Sequence, residues 1–170
     1  MSQIDRRTLD RHMHHAGVST RAPVREAVVL LVEDEPLWSE AIEELCSFLE
    51  VQLARVASTS DLAPVLSDLR PMAVLASVEA VGQDGCHIMK LVATHDPDLP
   101  LMVLTGGDAA MAGAAAAVEE VWGLGAVVTR DTLPSPGELV EFLFRAGQYG
   151  RCLGLLPVRT QIKPFAKEAP

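Results

Sequence analysis

Five short strand-like runs recur along the chain: AVVLLV (27–32), QLARVAS (52–58), MAVLAS (72–77), PLMVLTG (100–106) and GAVVTR (125–130). Each is followed by a stretch with the period of a helix. Nothing else in the sequence restricts the fold so much. A continuous apolar run such as AVVLLV is the pattern of a strand buried on both faces. Strands that alternate with helices must lie parallel, joined by right-handed crossovers, with helices on both faces. The expected fold class is therefore α/β, a doubly wound five-stranded parallel sheet.

The helical stretches carry their own marks. In PLWSEAIEELCSFLEV the residues Leu37, Ile42, Leu45 and Leu49 fall on one stripe, and Pro36 is placed near a helix start. DLAPVLSDL follows the turn-like STSD, with Pro64 expected in the first turn, where a missing N–H is tolerated. GCHIMKLVATH and DAAMAGAAAAVEEVWGL supply the third and fourth helices. The fifth, SPGELVEFLFRAGQY, opens on a capping box of Ser135, Pro136 and Glu138.

The 170 residues suffice for one domain and its tails, divided as an N-terminal arm (1–26, expected to be flexible), a body (27–149) and a basic C-terminal tail (150–170). Aromatic residues make up only 4%, so the core must be aliphatic. The net charge of −9 conceals an asymmetry, because residues 27–150 hold five Lys and Arg against nineteen Asp and Glu. Such a body is unsuited to neutralising phosphates, and no direct nucleic-acid binding is expected. No apolar run approaches a membrane span, and no apolar signal segment stands near the start. Cys46, Cys86 and Cys152 are odd in number and lack metal-site spacing, which reads as thiols in a reducing cytosol. The expected localisation is cytoplasmic. RHMHH clusters His12, His14 and His15, a set able to chelate a transition metal only with ligands from elsewhere.

In an open parallel sheet the site lies at the carboxyl ends of the strands, beside the reversal in strand order. The residues offered there are Glu33, Asp34 and Glu35 after the first strand, Ser77 after the third, Thr105 after the fourth and Arg130 after the fifth.

At these positions the chain resembles the receiver domain of bacterial response regulators (CheY-like), over roughly 27–149. VVLLVEDEP resembles that family's first strand and acid pair, which would fall on Glu33 and Asp34. RPMAVLASVEAVGQDG resembles its third strand and loop: Gly82, Asp84 and Gly85 match, while Val81 stands where the family has proline. LMVLTGG matches its hydroxyl position at Thr105, and Arg130 occupies the position of its lysine. The resemblance implies a flavodoxin-like strand order, 2-1-3-4-5. It also implies a phosphoacceptor aspartate at the third strand's end and Mg²⁺ held by that aspartate, the acid pair and a backbone carbonyl two residues on. This chain has Ser77 at the acceptor position.

Serine needs a base to remove its proton, whereas a carboxylate attacks already ionised, and no histidine is placed to serve. Losing the carboxylate also weakens the attraction for Mg²⁺. No cofactor is therefore expected beyond weak Mg²⁺ binding, with Glu33, Asp34 and Glu79 the residual candidates. Arg130 presents a planar fork suited to a carboxylate, and pairing with Asp34 is expected. The family's switch aromatic would fall on Val127, and its Lys-Pro pair on Arg130-Asp131.

These departures describe a degenerate, non-enzymatic pseudo-receiver that binds other signalling proteins. A homodimer would form through helix four, strand five and helix five, where AAMAGAAAAV, Trp122, Phe142 and Phe144 offer contacts. Two alternatives stay open. One is an active receiver that takes the phosphoryl group on Glu33, Asp34 or Glu79 with Mg²⁺. The other is a flavodoxin-like domain binding FMN or a nucleotide, although no Gly-rich phosphate cradle is present.

Overall fold

The computed structural model describes residues 26–33, 38–77, 85–150 and 152. Strands and helices alternate throughout: β1 (Val28–Val32), α1 (Ser39–Phe48), β2 (Gln52–Val56), α2 (Thr59–Leu69), β3 (Ala73–Ser77), α3 (Gly85–His95), β4 (Leu101–Leu104), α4 (Ala109–Trp122), β5 (Val127–Arg130) and α5 (Pro136–Gly150). All pairings are parallel, and the order across the sheet is β2-β1-β3-β4-β5. The doubly wound sheet expected from the alternation is present, in the flavodoxin-like order.

The central strands β1, β3 and β4 are buried along their whole length, as their unbroken apolar runs require. Alternate residues point to opposite faces and build two separate cores. Val29 and Leu31 of β1, Ala73 and Leu75 of β3, and Met102 and Leu104 of β4 meet Ile42 and Cys46 of α1 and Leu139, Phe142 and Leu143 of α5. Leu30, Val32, Val74, Ala76, Leu101 and Val103 face the other way, onto α2, α3 and α4. Right-handed crossovers dictate this division. The chain moves from β1 to β2 in one direction and from β3 through β5 in the other, so α1 must lie opposite α3 and α4.

Helix ends follow from local chemistry. The Ser58 hydroxyl accepts the Ser60 N–H at 3.2 Å and starts α2 two residues ahead of Asp61. Pro64 is consequently the sixth residue of α2 rather than a first-turn residue, because Thr59 and Ser60 of the supposed turn are already helical. α2 thereby forgoes the bond that residue 64 would donate to the Ser60 carbonyl. The α5 capping box forms as its residues require: the Glu138 carboxylate accepts from the Ser135 N–H at 3.0 Å, and Glu138 N–H donates to the Ser135 hydroxyl at 3.4 Å. α4 buries only Ala115 fully, and β5, at the sheet edge, is half-buried. The core also takes in Cys152, which lies against Gly150 beside Met72.

Candidate functional site

The carboxyl ends of β1, β3, β4 and β5 converge at one end of the sheet. Register fixes their neighbours: Val32 lies beside Ala76, Ser77 beside Leu104, and Leu104 beside Arg130. Glu33, Ser77, Thr105 and Arg130 are thereby brought together across four adjacent strands. Asp34, Glu35 and Glu79 lie outside the described residues.

Ser77 is 3% exposed, and its hydroxyl makes no hydrogen bond within the described residues. Among the described residues no base is hydrogen-bonded to it, and a neutral hydroxyl is a poor nucleophile. Glu33 is set at the end of β1 by its N–H bond to Val56 O, at 3.0 Å. Its carboxylate turns to the start of α1 and accepts the Trp38 N–H at 2.8 Å. Trp38, the residue that caps α1, supplies no capping side chain of its own, so Glu33 satisfies an N–H that the helix leaves open. The positive end of the helix dipole favours a carboxylate there.

Thr105 is 2% exposed and tied to the end of β5. Its N–H donates to Arg130 O at 2.8 Å. Its hydroxyl lies 3.3 Å from both Arg130 O and Asp131 Oδ1, either of which takes its proton. Arg130 is likewise turned toward the β5–α5 connection. Its Nε stands 3.9 Å from Glu138 Oε1, and its Nη1 donates to Thr129 O at 3.1 Å. The pairing expected with Asp34 falls outside the described residues; within them the ion pair of Arg130 is with Glu138. Glu138 is held below the usual carboxylate range, first by the Ser135 hydroxyl and then by its N–H, with a smaller contribution from Arg130.

Of the acids expected to hold Mg²⁺, Glu33 is described, whereas Asp34 and Glu79 are not. Mg²⁺ requires hard, negatively charged oxygens. Here Glu33 is engaged by α1 and Ser77 is neutral, and no group of three His, Cys, Asp or Glu is gathered among the described residues.

Three roles were missed by sequence reasoning: Glu33 as a helix cap, Asp131 as the partner of Thr105, and Glu138 as the partner of Arg130. Only the last had a signal. The capping box fixes one oxygen of Glu138 and leaves the other on the Arg130 side.

Beside the site, a groove of about 500 Å³ runs between β5 and α5. Met102, Val127, Val128, Phe142 and Tyr149 line it, with Arg130 and Glu138 at its rim. Phe142 is a core residue, whereas Trp122 and Val121 of α4 are exposed. No helix among the described residues is long and apolar enough to cross a membrane.

No protein-family model matches the chain, and no curated protein matches it in sequence. Solved structures do match in shape. The signal receiver domain of an HD domain-containing protein from Pseudomonas fluorescens superposes with a TM-score of 0.60 at 17% identity, over 74% of this chain and 98% of that one. A CheY-like response regulator receiver domain from Methanospirillum hungatei gives 0.60 at 12% identity, over 74% and 96%. The receiver domain of a sensor histidine kinase from Pseudomonas aeruginosa, with magnesium in its active-site cleft, gives 0.57 at 19% identity, over 71% and 96%. At these identities the likeness is one of fold: the chain has the architecture of a receiver domain.

Proposed function

We propose that this chain is a pseudo-receiver, a phosphorylation-independent protein–protein interaction module of bacterial two-component signal transduction that works in the cytoplasm. The observation that carries the reading is Ser77, a buried serine at the end of β3, where a receiver needs a carboxylate. Two further observations support it. Thr105 lies within reach of Asp131, and Arg130 pairs with Glu138, so the positions that would sense a phosphoryl group already face carboxylates of the chain itself. Glu33 caps α1 rather than standing free for a metal.

With no nucleophile, the function resides in surfaces and the domain is not an enzyme. The face formed by α4, β5 and α5 is the contact surface for signalling partners and for a second copy. There an apolar groove lies between β5 and α5, lined by Met102, Val127, Val128 and Phe142.

The test is a Mg²⁺ titration, with and without beryllofluoride, followed by Trp38 fluorescence. Trp38 is suited to it because its own N–H rests on Glu33. At pH 8, where an introduced carboxyl is ionised, the native chain is expected to stay silent and Ser77→Asp to respond. A saturable native response would refute the proposal and return phosphoryl acceptance to Asp34, Glu33 or Glu79.

A further inference from the structure

Among the described residues five large apolar side chains are exposed, and all five stand at helix carboxyl ends. Phe48 closes α1, Leu69 closes α2, Val121 and Trp122 close α4, and Tyr149 is next to last in α5. Helices that return between parallel strands all finish at one end of the domain, where the strands begin and opposite Ser77. Phe48 is 81% exposed and Val121 78%, so these are not grazing exposures.

The charge at this end is one-sided. α1, α2, α4 and α5 have no basic residue in the last turn, although the negative end of a helix dipole favours one. Arg70 follows α2, His95 closes α3, and Lys90 lies over the Trp122 ring at 5.4 Å. Against them stand Glu50, Asp68, Asp96, Asp98, Glu119 and Glu120, in or next to the final turns.

The chain leaves its described fold at the same end. Cys152, 3% exposed, donates its N–H to Gly147 O at 3.1 Å and so stays against the end of α5. Eighteen residues follow, LGLLPVRTQIKPFAKEAP. They reach up to about 60 Å when extended, more than twice the width of a five-stranded sheet, about 20–25 Å.

We propose that residues 153–170 fold back across this end of their own domain. Leu155, Leu156 and Phe165 cover the exposed apolar side chains, and Arg159 and Lys163 meet the helix carboxyl ends. Charge selects this occupant, because the same end of a second copy would bring the same acids. Residues 1–25 are also basic, but they contain no Phe, Tyr or Trp and no two adjacent large apolar residues.

The experiment uses the full chain with Trp38→Phe, which leaves Trp122 as the reporter. Acrylamide quenching and amide exchange are measured for this parent and for R159E/K163E in the same background. In the variant, Trp122 is expected to become more quenchable. Amides in the last turns of α1, α2, α4 and α5 should exchange about fivefold faster, with those of β3 unchanged. High salt should move the parent in the same direction. A second variant, L155S/L156S, should reproduce the effect without changing charge. Equal quenching and exchange in parent and both variants would overturn the proposal. So would protection that fades on dilution, which assigns the contact to another copy, or protection lost only on reversing Arg6 and Arg7, which assigns it to the N-terminal residues.

Discussion

Restoring a carboxylate at Ser77 tests how well the end of β3 is sealed from water. Ser77→Asp places an acid where the native side chain is 3% exposed, one register step beyond the Val32–Ala76 pair and beside Glu33. Burial of this kind raises a carboxyl pKa by about 3 units, and a like charge nearby adds to the rise. At 1.36 kcal/mol per unit, the full penalty is roughly 4 kcal/mol.

The sign follows from proton linkage. Below about pH 3 the introduced carboxyl is protonated in both states and the ionisation penalty is absent. As pH rises, the unfolded state ionises first and stability falls, until the folded-state pKa of about 7 is passed and the loss levels off. The assay is thermal unfolding of native, Ser77→Asp and Ser77→Ala side by side from pH 4.5 to 8. The Asp variant should fall behind by roughly 10 °C across that range. Ser77→Ala should track the native protein, because the lost hydroxyl has no hydrogen-bond partner among the described residues. A constant gap between Ser77→Asp and native across the range would refute the claim that this position is enclosed.

Other outcomes follow from the helix ends and the core. Ser135→Ala should cost about 1 kcal/mol through loss of the α5 cap, read by denaturant unfolding. Glu138→Gln should lower Tm at pH 7. Its folded pKa is depressed, so its contribution is present above the unfolded value of 4.5 and fades as pH falls through the lower folded value; the two curves should merge in acid. Gly123→Ala should cost about 1 kcal/mol, since this residue ends α4 at φ +66. Cys46, buried and pushed up to about 11 by that burial, should resist thiol reagents at pH 8 until the protein is unfolded, whereas half-buried Cys86 should react first.

Most of the architecture was legible because apolar continuity and helical period act locally and agree with each other. AVVLLV and MAVLAS need no partner to declare themselves buried strands, and Ser135-Pro136-Gly137-Glu138 announces its helix. The start of α2 was misplaced because Ser58 caps as well as turns, and nothing in STSD says which it does. At the site, the strand ends could be placed in advance, since parallel topology fixes where they converge. Side-chain partners could not. Glu33 turning to Trp38 and Thr105 lying beside Asp131 depend on how strand ends and loops meet in space, across 26 positions in the second case.

The sorting of each central strand into two cores has a consequence for how such a chain can diverge. Because Leu30 and Leu31, or Leu75 and Ala76, report to different helical layers, the domain is two packing compartments sharing one wall. A lineage can remodel α2, α3 and α4 to suit a new partner while the layer under α1 and α5 keeps its shape, and the reverse route is equally open.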